Sequence, residues 1–473
     1  TSSSHNFTKD MSLLGGELET ITSEDFGFKP LGQTKLLPSY NESLPFSQLQ
    51  NFAISNRNKL FVGCSGDTIA IGDLQALRDL IDRDSDDEEA DDEADDEIPG
   101  KEPALQLKLE KKIPNVIFTG FTPDESKIVV ITRDCSFLTC SVEKLDEWAT
   151  DKHINLSGNI ISVKFVPKIK DVLIIQCDTT LYKFQFNDST ALEVATDIAS
   201  FDVLSSHLAV LFKNNTIKLF NAITKAIDSS FDIPAEMKEE LGDEYIPVAV
   251  NAFSCVSFLV VFGQPTTSDT EDVAYDHKTY YVTFDRFLDR ISYHESFDIT
   301  PAFGTVLRNP SYYHIDLKSV TPQTKDVHIL ASSCSSELTI ISDCKVIQPS
   351  QDSDRAVLPI NQDTDNDTNP VGIALDISTT GDVVQPCSGV DRAKNLPLIY
   401  VLNNEGVLQI FALFHASGIK SGEFSMDATT QYWKDSMASI KNSSDPKILE
   451  GNPFPEDLGN LLKKTNRLSE PEN

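Results

Sequence analysis

The feature that most constrains this chain is a hairpin that recurs seven times, each an apolar strand, a tight polar turn and a second alternating strand. The first runs from Leu60-Phe61-Val62 to Ile69-Ala70-Ile71 across Ser65-Gly66-Asp67, and the second joins Ile128–Ile131 to Phe137-Leu138 across Arg133-Asp134. Val172–Ile175 with Leu181–Phe184, and Leu208–Phe212 with Ile217–Phe220, are the third and fourth. The fifth joins Phe258–Phe262 to Tyr280-Tyr281-Val282 around a polar insert from Thr266 to His277. His328–Leu330 with Leu338–Ile341, and Ile399–Leu402 with Val407–Ile410, complete the set. Successive hairpins leave room for two further strands and a loop, and four strands per unit make a propeller blade. A pair of β-sandwiches is the competing solution. The steady recurrence and the scarcity of helical periodicity favour an all-β, asymmetric seven-bladed β-propeller with long loops. It is not a regular WD40 array, because no Gly-His…Trp-Asp signature recurs.

The pattern becomes decisive at Ser23, so residues 1–22 read as a flexible N-terminal segment, 23–425 as the propeller and 426–473 as a polar C-terminal extension. That extension has one amphipathic stretch, from Asp457 to Lys464. Asp82–Glu97 holds 12 acidic residues and one Arg, a net charge of −11, and like charges at that density repel one another. Residues 82–100 are therefore expected to form a disordered acidic insertion. The chain opens on Thr1 instead of Met, and so reads as a piece of a longer protein.

Asp and Glu total 73 against 40 Lys and Arg, a net charge of −33. Phosphate backbones and anionic membranes are repelled by such a surface, whereas a basic protein partner is steered in. No direct nucleic-acid binding is expected. No apolar run has transmembrane length and no signal peptide opens the chain, so no membrane insertion is expected and the compartment reads as cytosolic or nuclear. The eight cysteines are scattered without C-x-x-C pairs and read as reduced core residues.

Signals for chemistry are weak. Asp92-Glu93-Ala94-Asp95 spells a helicase Walker B motif, but it follows no apolar strand, and Gly100-Lys101 lacks the glycine that a P-loop needs. Asp363–Asp367 resembles the start of an EF-hand loop, with Thr368 and Ala374 where that loop requires Gly and a bidentate Glu. The histidines show no H-E-x-x-H spacing, no Ser lies in G-x-S-x-G, and His328 inside an apolar strand reads as a core residue. The chain is expected to be no enzyme, with no catalytic residue, cofactor or metal.

Gln348–Asn369 is more informative, because propeller connections are short and a longer loop is commonly functional. It sets acids around an apolar kernel at Val357-Leu358-Pro359, the composition of a compact docking site. Ser23-Glu24-Asp25-Phe26-Gly27-Phe28, Leu330–Glu337, this loop through Gly372-Ile373-Ala374, Pro386–Asp391 and Tyr400–Gly406 carry a family resemblance. They resemble the N-terminal propeller of the fungal cytoplasmic-filament FG nucleoporins, whose animal counterpart is the large nucleoporin of leukaemic fusions. The resemblance implies a nucleoporin domain at the cytoplasmic face of the nuclear pore that recruits the DEAD-box helicase of mRNA export. It implies docking residues Asp352, Asp354, Arg355, Val357, Leu358, Pro359, Asp363 and Asp365, set against the basic face of the helicase's first RecA-like domain. That face also holds RNA, so docking and RNA binding are expected to exclude each other. Other pore proteins are expected to bind through regions outside this chain. FG repeats are absent, and the 82–97 tract is not part of the family pattern. The alternative reading is an acidic propeller scaffold for another basic protein, with that tract as the motif.

Overall fold

The computed structural model describes residues 12–40, 47–90, 105–186, 189–254, 256–267, 273–285, 290–299 and 310–443. All seven hairpins form, and each is the middle pair of a sheet: Leu60–Ser65 pairs antiparallel with Thr68–Asp73, and Leu398–Asn403 with Val407–His415. Blade 1 adds Phe52–Ser55 inside and Leu107–Lys112 outside. Six more such sheets complete a seven-bladed propeller, with a small two-stranded ribbon beside it. Middle strands are covered on both faces, so Leu60–Ser65 and Leu398–Asn403 are buried at every position. Outer strands face water on one side, and Leu107–Lys112 alternates half-buried with exposed. In the fifth hairpin the ladder runs into the polar insert, pairing Thr267 with Val273.

The ring is closed by the N-terminal region. Phe26–Lys35 is the outer strand of blade 7, paired antiparallel with Val407–His415 from Phe26 opposite His415 to Lys35 opposite Val407. Just before it, Thr20–Ser23 adds a parallel fifth strand to Lys345–Pro349 of blade 6, and Ser12–Leu14 does the same to Arg290–Ser296 of blade 5. The expectation of a flexible 1–22 segment is thus corrected for residues 12–22, while residues 1–11 lie outside the described residues. Strands of three and four residues are too short to show alternation, and what holds them is an edge far away in sequence. Gly15 N–H donates to Tyr293 O at 2.9 Å, and Leu18, whose N–H reaches Glu295 O at 2.8 Å, is buried.

The acidic insertion also begins differently from expectation. Helix Leu74–Ala90 runs through its first half, and residues 91–104 lie outside the described residues. Leu74, Leu77 and Ile81 fall at i, i+3 and i+7, line one face and are buried. Ile81 packs against Gly32 of the closing strand, where an added Cβ would come within 2.8 Å of its methyl group. The helix therefore clips blade 1 to the closing strand.

The C-terminal extension folds back as far as Ser443. Helix Asp427–Ala438 is held by Lys318 N–H donating to Thr429 Oγ1 at 2.9 Å, and Lys441 exchanges backbone hydrogen bonds with Lys168 and Lys170. Both anchors are turns between the first and second strands of a blade. Such turns lie on the face opposite the connections between blades. Trp433, Met437 and Ile440 line a cavity of about 530 Å3 there, over Phe118 and Tyr312 of the innermost strands. The stretch Asp457–Lys464 lies outside the described residues.

Five of the seven described cysteines are buried. Cys344 departs from the expected core placement: it is exposed because Asp343 and Cys344 form a tight turn with φ of 50° and 60°.

Candidate functional site

The connection between blades 6 and 7 is a built lobe. Ser350 N–H first bonds Ser23 O at 2.8 Å, and Asp352–Asp354 makes a single 3₁₀ turn. The chain then runs extended beside Ser336–Leu338. Leu338 N–H donates to Ala356 O at 3.0 Å, and Leu358 N–H donates to Ser336 O at 2.7 Å. Extended backbone sends successive side chains to opposite sides. Ala356 and Leu358 accordingly enter the core cluster of Phe26, Phe28 and Leu338, while Val357 points out, 48% exposed.

Ile360 pairs with Asp367 across an isolated bridge that closes a second, smaller turn. Inside it, Asn361 Oδ1 accepts from Asp363 N–H at 2.8 Å and from Thr364 N–H at 3.1 Å, an Asx turn. Asp365 is in the left-handed region at φ 56°, and Thr368 Oγ1 donates to Pro359 O at 2.6 Å. Asp363, Asp365 and Asp367 are all exposed on this turn, beside Ile360 at 51% exposure. Residues 351–367 carry five Asp and one Arg, a net charge of −4 (1 − 5).

Among the predicted docking residues, Asp352, Val357, Asp363 and Asp365 are exposed, and Pro359, Asp354 and Arg355 are half-buried. Burial raises the pKa of the Asp354 carboxyl, against the opposing pull of Lys29. Arg355 lies 3.8 Å from both Glu337 and Asp352, so its charge faces carboxylates of this chain. Leu358 does not fit the role given to it. At 3% exposure it holds the lobe down and presents nothing to a partner. The exposed apolar pair is Val357 and Ile360, and Ile360 was missed together with Asp367. Alternation alone does not say which of Val357 and Leu358 faces out, and the turn after Pro359 resets the phase for Ile360.

A second polar cluster lies among the innermost strands of blades 3, 4 and 6 and the neighbouring strand Asp326–Ser332 of blade 6. Lys164 Nζ contacts Asp202 Oδ1 at 3.0 Å, Asp202 Oδ2 meets His314 Nε2 at 2.9 Å, and His314 Nδ1 meets Asp316 Oδ2 at 2.9 Å. Asp316 Oδ1 continues to His328 Nδ1 at 2.6 Å, with Asp326 3.5 Å from the other ring nitrogen. Burial opposes the charge on His314, but Asp316 and Asp202 override it and lift its pKa to about 10. Burial likewise opposes charge on Asp202, and Lys164 with His314 holds it well below the usual carboxylate range. Three cations thus face three carboxylates. Asp202 also accepts from Ala252 N–H of blade 5 at 2.8 Å, so the cluster spends its donors and acceptors on joining blades. His328 is the buried core residue the sequence suggested, stacked on Phe253 at 4.8 Å.

Known proteins share this fold. The chain is 39% identical over 462 residues to nucleoporin NUP159 of Saccharomyces cerevisiae, covering 94% of this chain and 30% of that protein. It is 22% identical over 459 residues to nucleoporin nup146 of Schizosaccharomyces pombe, covering 90% of this chain and 32% of that one. The chain therefore spans about a third of the length of these curated relatives. A solved crystal structure of the N-terminal domain of Nup159 superposes with a TM-score of 0.71 at 39% identity, covering 85% of this chain and all of the other. A second, of an S. cerevisiae Dbp5 variant bound to Nup159, a Gle1 variant, IP6 and ADP, matches with a TM-score of 0.72 at 39% identity, covering 86% of this chain and 100% of the matched one. The family model described as the NUP159/214 beta propeller matches residues 45–408, and the chain belongs to that family.

Proposed function

We propose that this propeller is a nucleoporin domain at the cytoplasmic face of the nuclear pore that docks the DEAD-box helicase of mRNA export on the lobe at residues 351–367. The observation that carries the reading is the exposed pair Val357 and Ile360 set among Asp352, Asp363, Asp365 and Asp367. Such a pair desolvates at the centre of an interface while the surrounding carboxylates steer a basic face toward it. A relative of 39% identity occurs in a solved assembly that also contains Dbp5, which supports the choice of partner. The helicase face that meets these carboxylates is the one that holds RNA, so the domain recruits the helicase and competes with RNA for it. Contacts with other pore proteins belong to parts of the longer relatives that this chain does not span.

The test is calorimetric titration of this chain with the purified helicase of the same organism, at low and moderate salt and with added RNA. Val357→Asp with Ile360→Asp removes the apolar pair, and loss of a central anchor costs about 2 kcal/mol or more, roughly thirtyfold in affinity. The expected complex weakens with salt, yields to RNA and loses that affinity in the variant. Wild-type binding that the variant leaves unchanged sinks the docking site, and no binding with any nucleotide sinks the partner.

A further inference from the structure

One charge at the centre of the propeller has no counterpart. The cavity of about 530 Å3 under helix Asp427–Ala438 is lined by Lys164, Asp202, His314 and Glu125, and the first three answer one another. Lys164 Nζ lies 3.0 Å from both Asp202 Oδ1 and Phe201 O, and His314 sits between Asp202 and Asp316. Glu125 stands apart from them. It is 7% exposed, in the turn after strand Val116–Phe121, and no Lys, Arg or His nitrogen lies within 4.0 Å of its carboxylate among the described residues. Its Oε1 accepts from Arg57 N–H at 3.3 Å, while Oε2 completes no hydrogen bond. Burial raises the pKa of this carboxyl, and what opposes burial is neutral: the N–H groups of Arg57 and Asn56 and the side chains of Ser55 and Trp433.

The rest of the wall suits the same kind of ligand. Thr119 and Asn251, both fully or almost fully buried, line the cavity and leave Oγ1 and Oδ1 without hydrogen-bond partners. Both atoms can accept, and a buried polar atom left unpaired is costly. Between these points the wall is aromatic, with Phe118, Phe165, Tyr312, Tyr313 and Trp433. The hydroxyls of Tyr312 and Tyr313 are spent on His277 Nδ1 at 2.7 Å and Leu49 O at 2.6 Å, so these two residues offer the cavity only their rings. Aromatic faces attract cations, most strongly where water is excluded. Water alone would satisfy Thr119 and Asn251, but it leaves the buried Glu125 without a counter-ion.

We propose that the cavity binds a small organic cation, an ammonium or guanidinium on an apolar stem. Its N–H groups pair with the Glu125 carboxylate and reach Thr119 Oγ1 and Asn251 Oδ1, and its stem lies among the rings. An ammonium has three donors, a guanidinium has five and neither has an acceptor, which matches a wall whose unpaired side-chain atoms all accept. The ammonium of Lys164 does not stand against this, because Asp202 already holds it. The occupant is a free small molecule and not a side chain of a docked protein, because Trp433, Met437 and Ile440 of the C-terminal segment cover this end of the propeller.

Trp433 is one of two tryptophans, so Trp148→Phe leaves it as the sole indole reporter, in the cavity wall. The full chain with that change is titrated with phenethylamine and phenethylguanidine, and with 2-phenylethanol and phenylacetate, which replace the cation by a neutral group and by an anion. A blocked tripeptide with arginine between glycines tests the source of the cation. The expected result is a saturable change in Trp433 emission with at least one of the two small cations and with none of the other three compounds. Glu125→Gln, which keeps an oxygen for Arg57 N–H, should weaken that binding about tenfold, and Thr119→Val, of the same shape, about fivefold. Melting temperatures without ligand verify that each variant folds. No saturation by either cation at millimolar concentration, equal binding of the alcohol or the anion, or unchanged affinity in both variants overturns the proposal. Equal binding of the tripeptide shows a cavity open to a chain and overturns the assignment to a free small molecule. The Val357→Asp, Ile360→Asp variant keeps cation binding in full, so failure here and failure of helicase docking are separate results.

Discussion

Truncating Leu358 to Ala separates the two roles that neighbouring residues of the lobe play. The side chain is 3% exposed in a cluster with Phe26, Phe28 and Leu338, and comparable core truncations cost about 2–5 kcal/mol. Unfolding entropy of about 2.1 cal/mol/K per residue, summed over roughly 400 ordered residues, makes a loss of about 3 kcal/mol worth only ~3.5 °C in melting temperature. The local effect is larger. If the lobe opens by itself, Leu358 N–H loses Ser336 O and Leu338 N–H loses Ala356 O. A loss of about 3 kcal/mol then accelerates exchange at those two amides by roughly 150-fold. Val357→Ala, on the exposed side of the same strand, shifts stability by less than about 0.5 kcal/mol and weakens helicase binding instead. Hydrogen-exchange mass spectrometry of the 351–358 region, read beside calorimetry, checks both halves. Unchanged exchange in Leu358→Ala together with lost binding would put that side chain against the partner and refute the inward orientation.

Two other perturbations test the supports of the propeller. His314 has a folded pKa of about 10, raised from the ordinary 6.5, so its contribution is complete below about pH 6.5 and drains away as pH climbs through 10. Asp202 and Asp316 are lowered, so theirs is complete above ordinary carboxylate pKa values and is lost as pH falls. Denaturation midpoints of the wild type should therefore decline from pH 7 to 10, and His314→Gln should be less stable at pH 6 with a flatter profile. Parallel profiles would show that the network is not charged. Ile81→Ala should cost about 2–4 kcal/mol and speed amide exchange along Phe26–Lys35, the strand its helix holds; exchange confined to the helix would remove its role as a clip.

The parts of this fold legible in the sequence are those whose burial is uniform. Middle strands such as Ile169–Cys177 are covered on both faces and carry apolar runs such as Val172–Ile175, so all seven hairpins were found. Inner and outer strands contribute partial patterns, and Thr190–Ala195 contains nothing that distinguishes it from a loop. Ser12–Leu14 and Thr20–Ser23 are set by edges nearly three hundred or more residues away, which no local window contains. Helix Leu74–Ala90 was legible in Leu74, Leu77 and Ile81, but the charge run that follows them hid it. At the candidate site the composition pointed to the segment that forms the exposed carboxylate lobe and to most of its exposed residues. It could not order Val357 and Leu358, because which of two adjacent apolar residues turns inward is fixed by pairing with Ser336–Leu338. The Lys164, Asp202, His314, Asp316 and His328 cluster was invisible for the same reason: apart from His314 and Asp316, which alternate on one strand, its members come from separate strands that meet only in the fold.

That same pairing would let a long acidic loop serve as the proposed docking surface. A free segment of 17 residues carrying five carboxylates would lose much of its conformational freedom on binding, at a cost that offsets the few apolar contacts it offers. Here the ordering is already complete before any partner arrives. Ser350 is tied to Ser23, Ala356 and Leu358 are locked beside blade 6, and Asn361 and Thr368 fix the turn that displays Asp363 and Asp365. The tie at Ser23 belongs to the N-terminal strand that covers blade 6, so the segment that closes the ring also positions the lobe. On the opposite face, helix Asp427–Ala438 caps the central cavity, and the edges of blades 5 to 7 are taken by the chain itself. The outer strands of blades 1 to 4 end their sheets among the described residues, and the carboxylate lobe stands on the face of the interblade connections.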